Sequence, residues 1–153
     1  MQSDLFCRAI GEKLAGRRVK IQNETDFFAA AVVLPLLNRD GELSVLFEVR
    51  AAQLAWQPGE ICFPGGRIES GDAEPEQAAV RETYEELLLP PGGLRLLGPL
   101  DYLVSPIGVI IYPFVGFIDD SAALKPNAGE VAAVFTVPLR FFLETEPLTA
   151  QME

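Results

Sequence analysis

One stretch near the middle of this 153-residue chain constrains its fold more than any other. From Phe63 to Leu89 it reads FPGGRIESGDAEPEQAAVRETYEELLL. The glycine pair Gly65-Gly66 follows a short apolar run, which predicts a turn at a strand end where backbone can approach a ligand closely. A helix is predicted to begin near Asp72, its N-cap, and to stop before Pro90-Pro91.

The second half of this helix carries three glutamates on one face. Glu82, Glu85 and Glu86 are three and four residues apart, so they fall within a sector of about 100°. Carboxylates at this spacing repel by roughly 3 kcal/mol per pair before solvent screening, and a bound divalent cation removes that penalty. An apolar stripe is predicted on the opposite side of the helix, formed by Val80, Tyr84 and Leu87.

The net charge of −10 and the absence of histidine argue against several classes of function. A general nucleic-acid binder would show basic patches. Ser-His-Asp and Cys-His catalysis and histidine-containing zinc sites all require the missing residue. Since the chain as a whole repels anions, a phosphate-bearing ligand would need metal ions and local arginine or lysine side chains.

Cysteine use and hydropathy predict a soluble protein of the cytoplasm. Cys7 and Cys62 have no metal-type spacing and are expected to be reduced thiols, with Cys62 a small core residue. The first twenty residues contain Asp4 and Glu12 and lack the apolar core of a signal peptide. No apolar stretch approaches the ~20 residues of a membrane span.

Apolar runs and turn residues predict the remaining elements. An Asp-Gly pair at residues 40–41 is typical of a hairpin turn. A hydrophobic content of 49% suits a single domain over residues 1–153. The predicted fold class is α/β (α+β), a mixed β-sheet covered by helices in a sandwich. Strands are predicted at Phe27–Leu37, Leu43–Val49, Ile61–Phe63, Leu94–Val104, Val109–Ile118 and Val131–Val137, and further helices at residues 3–15 and Pro138–Leu143.

The glycine pair and the acidic helix together resemble the signature of the Nudix hydrolases. That signature is Gly, five residues, Glu, seven residues, then Arg-Glu-aliphatic-X-Glu-Glu-X-Gly-aliphatic. Counted from Gly66, Asp72 occupies the position of the first glutamate of the signature. Eight residues, rather than the seven of the signature, separate Asp72 from Arg81. Thr83 takes the aliphatic position, and Leu88 replaces the glycine that follows the glutamate pair.

One branch of the family, the coenzyme A pyrophosphatase-like proteins, carries the same extra residue, and this chain resembles that branch. Their upstream motif is similar to Leu-Leu-Thr-X-Arg-Ser-X-X-Leu-X-X-His-X-Gly-X-Val-X-Phe-Pro-Gly-Gly. Residues 46–66 read LFEVRAAQLAWQPGEICFPGG and align with it without a gap, with Gln57 at the histidine position. The resemblance covers roughly residues 27–143 and implies a Nudix-type α/β/α sandwich. Relatives continue into a further C-terminal helix, whereas this sequence stops at Glu153, which fits either a truncation or a shorter member.

The resemblance also implies roles for individual residues. Metal ligands would be Glu82, Glu85, Glu86 and the carbonyl of Gly66, with a structural turn as the alternative for the glycine. Catalytic residues would be Glu82, Glu85 and Glu130, and Glu130 could equally be a surface acid before a strand. Arg81 would orient the ligands. Substrate contacts would come from Arg50, Gly65 and Arg67, although both arginines could equally be ordinary surface residues.

The implied function is a Mg²⁺- or Mn²⁺-dependent hydrolase that cuts the diphosphate bond of a nucleoside diphosphate derivative. The small-molecule substrate implied by the branch is coenzyme A or an acyl-CoA, split to 3′,5′-ADP and a 4′-phosphopantetheine. Gln57 leaves ADP-ribose or another nucleotide open as the substrate. A catalytically silent nucleotide-binding domain is a further alternative. Neither nucleic acid nor membrane is expected as a partner, and a homodimer is left open.

Overall fold

The computed structural model describes residues 28–105, 108–119 and 124–148, which form a mixed β-sheet with two helices. The predicted helix at residues 3–15 lies outside the described residues. Within the described ranges, no helix is both long and apolar enough to cross a membrane. The elements in chain order are β1 (Phe28–Arg39), β2 (Glu42–Arg50), β3 (Ile61–Cys62), β4 (Gly65–Arg67), α1 (Pro75–Leu87), β5 (Leu94–Pro99), β6 (Leu103–Val104), β7 (Val109–Ile118), β8 (Val131–Pro138) and α2 (Leu139–Glu144).

Strand β1 is the centre of the sheet and changes partner along its length. On one side it runs parallel to β7 over Phe28–Leu36. On the other side its first half pairs with β4 and its end pairs with β2, both antiparallel. The path through the sheet is β3-β2-β1-β7-β5, with β8 on β2 and β6 on β7. One parallel pair among antiparallel ones confirms the predicted mixed sheet and the α/β class.

The β1–β2 connection is the predicted Asp-Gly hairpin. Asp40 and Gly41 have φ values of 54° and 83°, so both residues occupy the left-handed region that a tight two-residue turn requires. Asn38 then pairs with Leu43, and Arg39 pairs with Glu42. This register carries β2 back along the sheet and places its inward face under α1.

Two sequence predictions about α1 are wrong. The N-cap is Glu74, which makes no side-chain capping bond, while Asp72 lies upstream of the helix and accepts hydrogen bonds from Arg81. The glutamates also do not lie opposite the buried face, because Glu86 is itself buried, only 5% exposed. The other buried residues of the helix are Ala78, Ala79, Thr83 and Leu87.

The glycine pair is a strand rather than the predicted turn. Gly65 and Gly66 belong to β4 and pair with Val32 and Ala31 of β1. Gly65 has a φ of 151°, and a Cβ atom on it would lie 2.6 Å from the Cα of Val32, so only glycine fits there. This close pairing brings β4 beneath α1 and fixes the distance between the glycines and the helix.

The remaining predictions differ in detail. The single strand predicted at Leu94–Val104 is two, because β5 ends at Pro99 and β6 begins at Leu103. Helix α1 ends at Leu87, before Pro90-Pro91, and Leu88 caps it in the left-handed conformation with φ 47°. The predicted helix after β8 is the short helix α2.

Candidate functional site

A cavity of about 920 Å³ opens between β4, the second half of α1 and the loop before β8. Its walls include seven of the eight residues that the sequence singled out. Glu85 is the exception. The seven are Arg50, Gly65, Gly66, Arg67, Glu82, Glu86 and Glu130.

The two glycines of β4 each meet one glutamate of α1. The backbone amide of Gly65 donates a hydrogen bond of 2.8 Å to Oε2 of Glu86. A Cβ atom on Gly66 would lie 2.5 Å from the carboxyl carbon of Glu82. The glutamate carboxylates of the helix therefore lie directly against the backbone of the strand. A side chain larger than that of glycine at either position would not fit.

Burial changes the proton affinity of both carboxylates. Burial in the protein raises the pKa of Glu86 to about 7, and the neighbouring charge of Glu82 adds to the rise, although the Gly65 amide opposes it. Burial also raises the pKa of Glu82, against the lowering effect of the Arg81 guanidinium. A bound divalent cation would offset the cost of burying these two charges and would favour the ionised form of both side chains.

Arg81 ties the loop before α1 to the metal-ligand candidate Glu82. Its Nη2 donates to Oδ2 of Asp72 at 2.9 Å, and its Nη1 donates to Oε1 of Glu82 at 2.7 Å. A further hydrogen bond from Nη2 reaches the carbonyl of Arg67 at 3.2 Å. The Arg81 guanidinium holds the pKa of the Asp72 carboxyl below its usual value. Arg81 thus contacts the Glu82 carboxylate more closely than that of Glu85, which lies 3.9 Å from its Nη1 atom, and its predicted orienting role stays a prediction.

Glu85 is not brought into the cavity. Its side chain is 54% exposed, and its nearest described ion pair is with Nη1 of Arg81 at 3.9 Å. Glu85 and Glu86 lie at the two edges of the predicted sector, about 100° apart around the helix, so Glu85 faces solvent while Glu86 is buried. Its predicted roles as a metal ligand and catalytic residue remain proposals.

Glu130 approaches the same carboxylates from a different element. It closes the turn that leads into β8, where its amide donates to the carbonyl of Asn127 at 2.9 Å. The side-chain amide of Asn127 donates to Oε1 of Glu130 at 3.4 Å. Its negative charge contributes to the raised pKa values of Glu82 and Glu86. A residue distant in sequence is thereby placed next to the helix glutamates, where a general base would be required.

The two candidate phosphate-binding arginines line the cavity from the ends of two different strands. Arg50 ends β2 and donates from Nε to the carbonyl of Trp56 at 3.2 Å. Arg67 ends β4, and its guanidinium carbon lies 4.2 Å from the centre of the Phe28 ring. A guanidinium carries five N–H donors, so each side chain retains donors that could bind anionic oxygens.

The donor set fits a hard divalent cation. Carboxylate and carbonyl oxygens are what Mg²⁺ and Mn²⁺ prefer, and the space that a side chain on residue 66 would fill is occupied by the Glu82 carboxylate. Among the described residues, no three His, Cys, Asp or Glu side chains already converge as a metal site. The ligands would therefore have to move together around a cation.

Sequence reasoning missed one acidic residue that interacts with Glu86. Glu48 of β2 is 1% exposed, and neither of its carboxylate oxygens has a hydrogen-bond partner among the described residues. Burial raises its pKa to about 9, and the charge of Glu86 adds to the rise. The signal was available, because strand alternation puts Glu48 on the same inward face as Ser44 and Leu46.

Cys62 lines the cavity and is half-buried rather than fully enclosed in the core. Burial raises the pKa of its thiol to about 11, and the neighbouring glutamate charges add to the rise. A thiol with so high a pKa carries almost no thiolate at neutral pH, so it is a poor nucleophile.

Comparison with known proteins places the chain in a family. Residues 26–151 match the NUDIX domain. The chain therefore belongs to the Nudix family, as the resemblance in its sequence indicated. Nudix hydrolases act on small-molecule nucleotide substrates and generally need a divalent cation.

Three similar proteins illustrate the relationship. The peroxisomal coenzyme A diphosphatase NUDT7 of Mus musculus is 40% identical over 116 residues, which are 76% of this chain and 49% of that protein. The peroxisomal coenzyme A diphosphatase ndx-8 of Caenorhabditis elegans is 40% identical over 82% of this chain and 53% of its own length. An Ap4A hydrolase structure from C. elegans shares the fold with a TM-score of 0.62, at 17% identity over 75% of this chain and 83% of that one. The chain spans about half the length of the two curated relatives.

Proposed function

We propose that this chain hydrolyses the diphosphate bond of coenzyme A or an acyl-CoA, in the presence of Mg²⁺ or Mn²⁺, to 3′,5′-ADP and a 4′-phosphopantetheine. The observation that carries the proposal is the pair of contacts between the glycine strand and the helix: Gly65 to Glu86, and Gly66 to Glu82. Through these contacts two acidic side chains lie against the glycine backbone at one wall of a cavity large enough for a nucleotide.

The coenzyme A assignment is supported by the motif in residues 46–66 and by the names of two relatives that are 40% identical. The cavity lining also includes apolar side chains, which suit an adenine ring or a pantetheine arm. These include Phe28, Leu54, Trp56, Leu103 and Ile111.

The metal ligands in this proposal are Glu82, Glu86 and the carbonyl of Gly66, with Glu85 at the solvent side. A bound cation would neutralise the diphosphate and lower the pKa of the attacking water. The chain's own groups do the rest. Arg50 and Arg67 bind diphosphate oxygens, and Arg81 holds Glu82 in place. Glu130 accepts the proton of the attacking water, since the sequence contains no histidine that could do so.

A second substrate class remains, which is ADP-ribose or another nucleoside diphosphate derivative. It is favoured by Gln57, which replaces the histidine of the coenzyme A motif and stands at the cavity wall with a left-handed φ of 49°. A silent nucleotide-binding domain is the third alternative. It is disfavoured because burying clustered carboxylates lowers stability and brings a binding module no benefit.

The test is a hydrolysis panel in ¹⁸O-labelled water, with coenzyme A, an acyl-CoA and ADP-ribose as separate substrates and Mg²⁺ or Mn²⁺ present. The proposal expects 3′,5′-ADP and 4′-phosphopantetheine from coenzyme A, with one labelled oxygen in one of the two products. Turnover of ADP-ribose alone would favour the second substrate class, and bound but intact nucleotide would favour the silent binding domain.

A cytoplasmic location is also a proposal. The mouse relative is named as a peroxisomal protein.

A further inference from the structure

Glu48 is the feature of the site that the proposed function does not use. It lies in the middle of β2, opposite Cys62 of β3 and Val134 of β8. Its side chain is 1% exposed, yet both carboxylate oxygens lack a hydrogen-bond partner in the described structure. Buried carboxylates in proteins are almost always paired or bound to a metal, because an unpaired one greatly destabilises the fold.

The neighbours of Glu48 do not supply a structural explanation. Arg50 lies two residues along the same strand, but its Nε atom donates to the carbonyl of Trp56. Glu86 is another carboxyl group, and its charge helps to raise the pKa of Glu48. Glu86 in turn accepts a hydrogen bond from the amide of Gly65. Among the described residues, Glu48 and Glu86 therefore form a pair of buried carboxyl groups to which no cationic side chain is bonded.

A cation between these two groups would satisfy both. We propose that Glu48 is an additional ligand of the divalent cation held at Glu86. This inference rests on the proposed metal site, and it adds a fourth acidic side chain that comes from the sheet rather than from the helix. At this position the coenzyme A motif has threonine, so a glutamate here gives this chain one more charged donor than the motif supplies. More carboxylate ligands bind a divalent cation more tightly.

The experiment measures cation binding rather than turnover. Mn²⁺ is titrated into the wild-type chain and into Glu48→Gln, Glu48→Thr and Glu144→Gln, with free Mn²⁺ followed by electron paramagnetic resonance. Glu144→Gln is the charge-matched control, because it removes one exposed carboxylate of α2 that does not line the cavity. The expected result is a loss of roughly tenfold or more in Mn²⁺ affinity for both Glu48 variants and none for the control.

Thermal unfolding without added metal separates loss of a ligand from loss of the fold. Both Glu48 variants should unfold at or above the wild-type temperature, because they remove a buried carboxyl group whose oxygens have no hydrogen-bond partner. Mn²⁺ affinity within twofold of wild type in either folded variant would overturn the proposal. If both variants failed to fold, anomalous scattering from wild-type crystals soaked in Mn²⁺ would decide: Mn²⁺ bonded to a Glu48 oxygen supports it, and Mn²⁺ bonded only to other residues refutes it.

The outcome is distinguishable from failure of the proposed function. A wild-type chain that binds Mn²⁺ through Glu48 but leaves coenzyme A intact would refute the hydrolase proposal alone. A chain that hydrolyses coenzyme A with unchanged Mn²⁺ affinity in Glu48→Gln would refute the ligand proposal alone.

Discussion

The carboxylate of Glu82 lies where a side chain on residue 66 would otherwise be. A Cβ atom on Gly66 would be 2.5 Å from the carboxyl carbon of Glu82 and within 2.8 Å of both its oxygens. No positive φ angle requires glycine here, in contrast to Gly65. Glycine is therefore needed at position 66 because it has no side chain, and the proposed metal ligand Glu82 occupies the space of that side chain.

A methyl group at residue 66 should damage the site more than the fold. We expect Gly66→Ala to push the Glu82 carboxylate away and to weaken Mn²⁺ binding by roughly tenfold or more. Gly71→Ala is the matched control, since a Cβ atom there meets nothing within 4 Å. Calorimetric titration of Mn²⁺ into both variants measures the difference. Equal affinities in Gly66→Ala and Gly71→Ala would show that Glu82 does not bind the cation.

Arg81 should act on the rate and not on substrate affinity. Its guanidinium bridges Asp72 and Glu82 through separate nitrogens, a geometry that a lysine ammonium cannot reproduce. We expect Arg81→Lys to lower kcat for coenzyme A by roughly tenfold, with KM within twofold of wild type. Arg39→Lys, at the exposed end of β1, serves as the control. A raised KM with an unchanged kcat would mean that Arg81 contacts the substrate directly.

Leu88 carries strain that glycine would relieve. It caps α1 in the left-handed conformation, with φ 47° and ψ 46°, and its side chain is 52% exposed. The left-handed region costs a non-glycine residue roughly 1–2 kcal/mol, part of which the greater freedom of glycine in the unfolded chain cancels. We expect Leu88→Gly to have a free energy of unfolding about 1 kcal/mol above that of Leu88→Ala, measured by urea denaturation. A lower value for Leu88→Gly would contradict this.

The metal-free protein should become less stable as pH rises. The folded-state pKa values of Glu86 and Glu48 are about 7 and about 9, above the ordinary value of 4.5. Between 4.5 and about 9 the folded chain holds protons that the unfolded chain has released, so this contribution to stability is complete below 4.5 and is lost as pH rises through the folded pKa values. Asp72, whose pKa is lowered, acts only at more acidic pH.

Thermal melts in chelator across this pH range measure the effect. No histidine titrates within it, which makes the slope easier to assign. We expect Tm to fall from pH 5 to pH 9 in wild type and to fall less steeply in Glu48→Gln. A Tm that is constant or rises over the same range would show that the two carboxylates are not buried together.

The local patterns of the sequence predicted the fold well where they were strong. The Asp40-Gly41 hairpin, the long apolar run of β7 and the acidic helix are all present. The pairing of Gly65-Gly66 with β1 was not predicted, because glycines have no side chain to show a strand pattern. The burial of Glu86 was missed for a different reason: helical spacing gives relative positions on a face but does not show which face meets the sheet.

The site could be predicted only in part for the same physical reasons. Seven of the eight predicted residues lie within sequence motifs, and six of these line the cavity, at positions 50, 65, 66, 67, 82 and 86, whereas Glu85 does not. Glu130 was proposed from family resemblance and also lines it. Glu48 was overlooked, because an acidic residue within a strand is more often exposed, and only the alternation of β2 indicated that it faces inward.

The most direct test of this account is hydrolysis of coenzyme A by the wild-type chain and Glu86→Gln in ¹⁸O-labelled water with Mg²⁺, analysed by mass spectrometry, with Glu144→Gln as control. The account predicts 3′,5′-ADP and 4′-phosphopantetheine from wild type and control, and a rate roughly 100-fold lower from Glu86→Gln. Intact coenzyme A with the wild-type chain, or equal rates for wild type and Glu86→Gln, would contradict it.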